Sequence, residues 1–106
     1  MLSVIPLYEL LQMISIPQNL NAQFNAFLLK RHIPVSLHNY YRKWLRYYLD
    51  YCDKYQFTLL NPDSLSHFLN KLKEKKQTNL QQKQARETVG LFYKLVEQDA
   101  DLKKFL

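Results

Sequence analysis

A single glycine in 106 residues, accompanied by only four prolines, leaves this chain almost no turn chemistry. A β-sandwich or barrel closes its hairpins with several Gly, Asn-Gly or Asp-Gly turns, because those turns demand residues that tolerate positive φ. An all-β fold is excluded on that ground. Leucine occurs 20 times against eight for valine and isoleucine together, a balance that favours helix over sheet. The expectation is an all-α chain.

A chain of this length makes one domain and buries about two-thirds of its unfolded surface. With 47% hydrophobic and 23% charged residues, the composition is that of a globular protein. The lone Cys52 has no internal disulfide partner, which fits a reducing cytoplasm. Leu2 to Ile16 is apolar, but it contains Pro6 and Glu9, lacks a basic leader and is too short to cross a bilayer. Residues 1–17 are therefore read as a docking segment, with a short helix or turn over Val4 to Ile14.

Four helices follow. Leu20, Phe24, Phe27 and Leu28 share one face of the first, with Asn19 as its cap, and Pro34 ends it near His32. Ser36 is placed as cap of the second, whose stripe is Leu37, Tyr41, Trp44, Leu45, Tyr48, Cys52 and Tyr55, with Asn39, Arg42, Lys43, Arg46 and Asp50 opposite. Asn61 caps the third, Pro62 occupies its first position, and Leu65, Phe68, Leu69 and Leu72 form its core face. Lys71, Lys73, Lys75 and Lys76 crowd its end.

Thr78 and Gln81 spell a Thr-x-x-Gln capping box for the fourth helix. Ala85, Thr88, Val89, Phe92, Leu95 and Val96 are its buried face. At 100° per residue from Ala85, the positions Lys83, Arg86, Gly90 and Lys94 fall between about 100° and 180°, away from that face. The helix thus carries a basic outer stripe interrupted by the one glycine.

Enzymatic signatures are missing. His32, His38 and His67 have no zinc-type ligand spacing, and one glycine cannot build a phosphate loop, so neither metal nor cofactor is expected. The histidines read as loop or surface residues, Cys52 as a buried hydrophobe, and Asp50 and Asp53 as surface partners of Arg46 and Lys54. Most tyrosines read as core residues with hydroxyls at the rim. Tyr40 and Tyr47 are left at the flank as hydrogen-bond donors to phosphate.

Charge sharpens the picture. The net charge is +6, and residues 30–94 hold 13 bases against five acids, whereas residues 1–29 hold one acid and no base and residues 95–106 hold two bases against three acids. A central surplus of eight points to a polyanion, with nucleic acid ahead of membrane. Arg42, Lys43, Arg46, Lys83, Arg86 and Lys94 are the candidate phosphate contacts, and Ser36, Tyr40, Gly90, Lys75 and Lys76 are supplementary ones. Asn79 and Gln82 are the candidates for base edges, because a side-chain amide reads adenine bidentately. A helical protein-interaction module, using the apolar N-terminal segment and the tyrosine flank, is the alternative.

The ordered set Tyr41-x-x-Trp44-x-Arg46-x-Tyr48, Phe68-Leu69-x-x-Leu72, Gln84-Ala85 and Leu91-Phe92-Tyr93-x-x-Val96 resembles the N-terminal core-binding domain of tyrosine recombinases, including phage and integron integrases. The resemblance runs from about His32 to Gln98. It implies a SAM-like four-helix bundle that grips one face of double-stranded DNA at a recombination site, with the helices corresponding to the second and fourth against the duplex. It places Lys83 where the family has a basic residue before Gln-Ala, with Gln82 and Arg86 beside it. Many integrases carry Arg-Thr where this chain has Ser36-Leu37, leaving a hydroxyl in place of the guanidinium. It further implies that catalysis resides in a C-terminal domain reached through a linker starting at residues 99–106. Protomers would then assemble as tetramers on paired sites, in a cytoplasmic protein associated with the nucleoid when bound. No small-molecule substrate is expected.

Overall fold

The computed structural model describes residues 13–105. Its elements are α1 (Gln18–Lys30), a 3₁₀ turn (Val35–Leu37), α2 (His38–Tyr55), α3 (Pro62–Glu74), α4 (Asn79–Gln98) and α5 (Ala100–Phe105). The fold is all-α, with no strand among the described residues. The docking segment expected over Val4 to Ile14 lies outside the described residues except for Met13 and Ile14.

Local chemistry starts the third and fourth helices where the sequence puts them. Asn61 Oδ1 accepts from the Asp63 amide at 2.9 Å, and Pro62 fills the first helical position. The Thr78 hydroxyl accepts from the Gln81 amide at 3.1 Å while the Thr78 amide donates to Gln81 Oε1 at 2.9 Å, completing the capping box. The first two helices start differently. Pro17 precedes α1 with no side-chain cap, so Asn19 sits inside the helix. Ser36 lies within the 3₁₀ turn and Leu37 takes the N-cap position of α2 without a side-chain bond.

With glycine scarce, helix ends must be made another way. His32, Gln56 and Lys76 adopt φ of 61°, 58° and 60° immediately beyond the ends of α1, α2 and α3. After each, the next amide reaches back five residues: Ile33 to Leu28 at 3.1 Å, Phe57 to Cys52 at 2.9 Å and Gln77 to Leu72 at 3.0 Å. These are Schellman-type stops built without glycine, and the left-handed conformation costs a residue with a Cβ roughly 1–2 kcal/mol. Gln56→Gly is accordingly expected to raise stability by about 1 kcal/mol, read as an upward shift of the urea midpoint. An unchanged midpoint would mean that the Gln56 side chain, whose Nε2 donates to the Asp53 carbonyl at 2.7 Å, offsets the strain.

α2 and α4 make the most extensive helix pair. Tyr40 bonds to Gln84 and Tyr48 to Tyr93, sequence offsets of 44 and 45, so the two helices run in the same direction. α1 runs opposite to α2, since Asn25 meets Arg42 while Ile14 meets Arg46 and Asp50. The core between them holds Leu20, Phe24, Leu28, Trp44, Leu45, Tyr48, Phe68, Leu72, Val89, Phe92, Val96 and Leu102, all essentially excluded from solvent.

The stripe of α2 departs from its expected course. Leu37 and Tyr55, at its two ends, are 44% and 48% exposed and Tyr41 is half-buried, whereas Tyr47 and Asp50 are buried. The helix is covered on a second side by residues 13–14 and α3. His38 is also buried, its Nε2 2.9 Å from the Ile33 carbonyl. The stretch from residue 99 begins by folding back: the Leu102 amide donates to Asp99 Oδ1 at 3.0 Å and Leu102 enters the core.

The buried hydroxyls and thiol link this core to pH. Burial, reinforced by the Tyr93 hydroxyl, pushes Tyr48 far above the ordinary phenol value, and burial raises Cys52, Tyr93, Tyr41 and Tyr51 as well. Their contribution to stability is complete below the ordinary values of 9.0 for the thiol and 10.0 for the phenols. It is lost as pH rises past those values, because the unfolded chain then releases protons that the folded chain retains. Urea midpoints are expected to be flat to about pH 8 and to fall above about pH 9; a midpoint rising in that window would contradict the assignment.

Candidate nucleic-acid interface

The cations of the expected interface divide into three groups by what surrounds them. On α4, Lys83, Arg86 and Lys94 are exposed and make no hydrogen bond, ion pair or ring contact with any described residue. Gly90 lies half-exposed among them, and a Cβ built on it would meet nothing within 4 Å. No packing inside the domain therefore requires glycine there. A mid-helix glycine costs about 1 kcal/mol relative to alanine, and it stands on a helical surface where three cations are left to solvent, with the exposed Glu97 further along the same face.

At the start of this helix Asn79 is exposed, while Gln82 is half-buried with its Nε2 donating to the Gln77 carbonyl at 3.0 Å. That bond orients the Gln82 amide, since only the nitrogen end of a side-chain amide can donate to a carbonyl. Gln84 is engaged by the Tyr40 hydroxyl across the α2–α4 seam. Tyr40 thus acts first as a strut between the two helices, and its hydroxyl is not the open phosphate donor expected of it.

The second group lines an open groove between α2 and the start of α1, formed by Ser15, Ile16, Asn21, Asn39, Arg42, Lys43 and Arg46. Arg42 donates to Asn25 Oδ1 at 2.7 Å and to Asn39 Oδ1. Lys43 lies 5.9 Å from the Trp44 ring, and partial burial lowers its pKa below the ordinary lysine value. Arg46 is the exception to its expected role: its Nε donates to the Ile14 carbonyl at 2.8 Å and its Nη2 to the Met13 carbonyl at 2.9 Å. Its sequence signal is that of a surface cation, yet it holds backbone.

The third group surrounds the tyrosines of α2. Lys75 lies 5.8 Å from the Tyr47 ring and Lys71 5.8 Å from the Tyr55 ring, geometries that attract a cation to the ring face. Lys75 is half-buried in this arrangement and Lys76 is exposed at the left-handed turn. Tyr47, expected as a flank donor, is buried against Phe68 at 5.5 Å. Ser36 is exposed in the 3₁₀ turn with its hydroxyl open to solvent.

Cys52 is buried with a raised pKa, which suits packing and not nucleophilic chemistry. Among the described residues no three His, Cys, Asp or Glu side chains gather as metal ligands, and no helix is long and apolar enough to cross a membrane. A family model described as phage integrase, N-terminal SAM-like domain, matches residues 20–101, from the first buried leucine of α1 into α5. No curated protein and no solved structure matches the chain.

Proposed function

This chain belongs to the phage integrase N-terminal SAM-like domain family, and we propose on that premise that it binds double-stranded DNA at a recombination site. In this reading it is the core-binding module of a tyrosine recombinase whose catalysis resides in another domain, and it works beside further recombinase protomers. The observation that supports the reading best is the outer stripe of α4, where Lys83, Arg86 and Lys94 surround Gly90 without a partner inside the domain. Phosphates release counterions when neutralised by such cations, which supplies affinity without sequence preference. Lys43 and Arg42 extend the contact from α2, with Ser36 and Lys76 at the periphery. Asn79 and the oriented Gln82, at the start of α4, are the proposed readers of base edges.

Mobility of a long duplex with the domain at low and moderate salt tests this reading. A shift that weakens steeply with salt is expected. No shift at high micromolar protein would favour the protein-interaction reading, for which the half-buried and exposed rings of Tyr51, Tyr55, Phe57 and His67 form the stacked surface.

Gly90 supplies a test with opposite signs. Gly90→Ala meets no steric obstacle and is expected to stabilise the fold by about 1 kcal/mol. If the duplex backbone approaches the helix there, the same substitution weakens DNA binding, and Gly90→Leu weakens it further. Urea denaturation and fluorescence anisotropy on one sample separate the two effects. Unchanged affinity in both variants would remove Gly90 from the contact.

A further inference from the structure

Arg46 and Asp50 stand four residues apart on α2, so their side chains share one face. Between them they hold one peptide group. The Met13 carbonyl accepts from Arg46 Nη2 at 2.9 Å and the amide of the same peptide, that of Ile14, donates to Asp50 Oδ1 at 3.2 Å. The next carbonyl, that of Ile14, accepts from Arg46 Nε at 2.8 Å. The Met13 side chain beside this peptide is 7% exposed and Asp50 is 8% exposed. A backbone entering the protein there, outside any helix, must find partners for its polar groups, and this pair provides them.

The held strap is also a wall. Ser15 and Ile16, immediately after the clasped peptide, face Asn39, Arg42, Lys43 and Arg46 across the open groove. Arg42 is fixed at its floor by Asn25 and Asn39. Without the strap the groove would be an open helix face. With it, hydroxyl, amide and cationic donors converge from two sides, the chemistry that suits a phosphodiester. Residues 13–16 precede the stretch that the family model matches.

We infer that Arg46 and Asp50 are positioning residues, which clasp the 13–14 peptide so that residues 15–16 complete a phosphodiester-binding groove with Arg42 and Lys43. The inference rests on the DNA-binding reading and assigns Arg46 a part other than direct phosphate contact. The desolvation that lowers the Lys43 pKa is consistent with a cation seated in a confined groove.

Charge and geometry predict different results for Asp50. Removing a carboxylate beside a phosphate site strengthens binding if only electrostatics act. If Asp50 holds the wall, Asp50→Ala weakens duplex binding about tenfold instead, the cost of losing one buried charge-assisted bond. Arg46→Lys keeps the charge but cannot span two carbonyls, and it is expected to weaken binding several-fold while leaving the salt slope unchanged. Lys43→Ala is the counterpart, lowering the slope by about one unit with the strap intact.

Amide exchange at Ile14, followed by NMR on the full chain, reports the clasp independently of DNA. Protection in the parent protein that falls about tenfold in both Asp50→Ala and Arg46→Lys is the expected result. The inference is overturned if Ile14 is unprotected in the parent, or if Ile14 protection falls while duplex affinity rises or stays constant. Should Asp50→Ala fail to fold by circular dichroism, Arg46→Lys decides alone. A parent protein that protects Ile14 but binds no duplex overturns the DNA-binding reading and with it the groove's ligand, and leaves the clasp standing as architecture.

Discussion

Tyr48→Ala is expected to lose about 4–5 kcal/mol of stability and to leave much of the population unfolded at physiological temperature. Tyr48 ties α2, α3, α4 and the turn before α3 together. Its ring is fully excluded from solvent and meets Phe68, Phe92 and Tyr93 edge-on at 5.3, 6.3 and 6.4 Å. Its hydroxyl lies 2.7 Å from the Leu59 carbonyl and 2.8 Å from the Tyr93 hydroxyl, and the Tyr93 hydroxyl lies 3.1 Å from the Asn61 carbonyl, so two protons are shared among three contacts. Truncation to alanine removes the ring, leaves a cavity between three elements and takes a hydroxyl from the half-buried Leu59 carbonyl. Domains of this size have only about 5–15 kcal/mol in total. Tyr48→Phe separates the two terms, since it keeps the ring and is expected to cost about 1–2 kcal/mol. Urea denaturation followed by helical circular dichroism measures both. A loss below about 2 kcal/mol for the alanine variant would mean that the core repacks around the gap.

How much of this was legible beforehand depends on how local the cause is. The capping box of Thr78 and Gln81 and the Asn61-Pro62 start are complete within four residues, and they were readable in full. The buried face of α4 is equally plain, because Ala85, Thr88, Val89, Phe92, Leu95 and Val96 follow one stripe and all are buried. α2 was harder. Periodicity identifies its apolar stripe but not how many elements wrap around it, so the pattern puts Tyr47, His38 and Asp50 outside although all three are buried. Pro34 marks the stop at His32, but those at Gln56 and Lys76 carry neither a glycine nor a proline signal, and only the folded chain reveals them. The candidate site divides on the same line. A cation on α4 that has no partner can be read from its phase on the helix. An arginine on α2 has the same charge and phase whether it grips a phosphate or, as Arg46 does, the backbone of residues 13–14.

Replacing Lys83, Arg86 and Lys94 together by alanine is expected to weaken duplex binding roughly five-hundredfold at about 0.1 M salt while leaving the fold intact. Each neutralised phosphate contributes a slope of about 0.9 in log affinity against log salt. If the parent and the variant converge near 1 M salt, each lost contact is worth about eightfold at 0.1 M, and three compound. The slope itself should fall by about 2.5–3 units. All three side chains are exposed and make no hydrogen bond, ion pair or ring contact with any described residue, so unfolding free energies should move by less than about 0.5 kcal/mol. Net charge alone would also lower affinity, and a second triple variant controls for it. Lys73, Lys103 and Lys104 are likewise exposed and lie off the α4 stripe, so replacing them removes the same charge from elsewhere. A stripe that grips the duplex makes the first variant far weaker than the second at every salt concentration below the convergence point. Equal losses would mean that the duplex is attracted by the overall charge of +6 and held on no particular face.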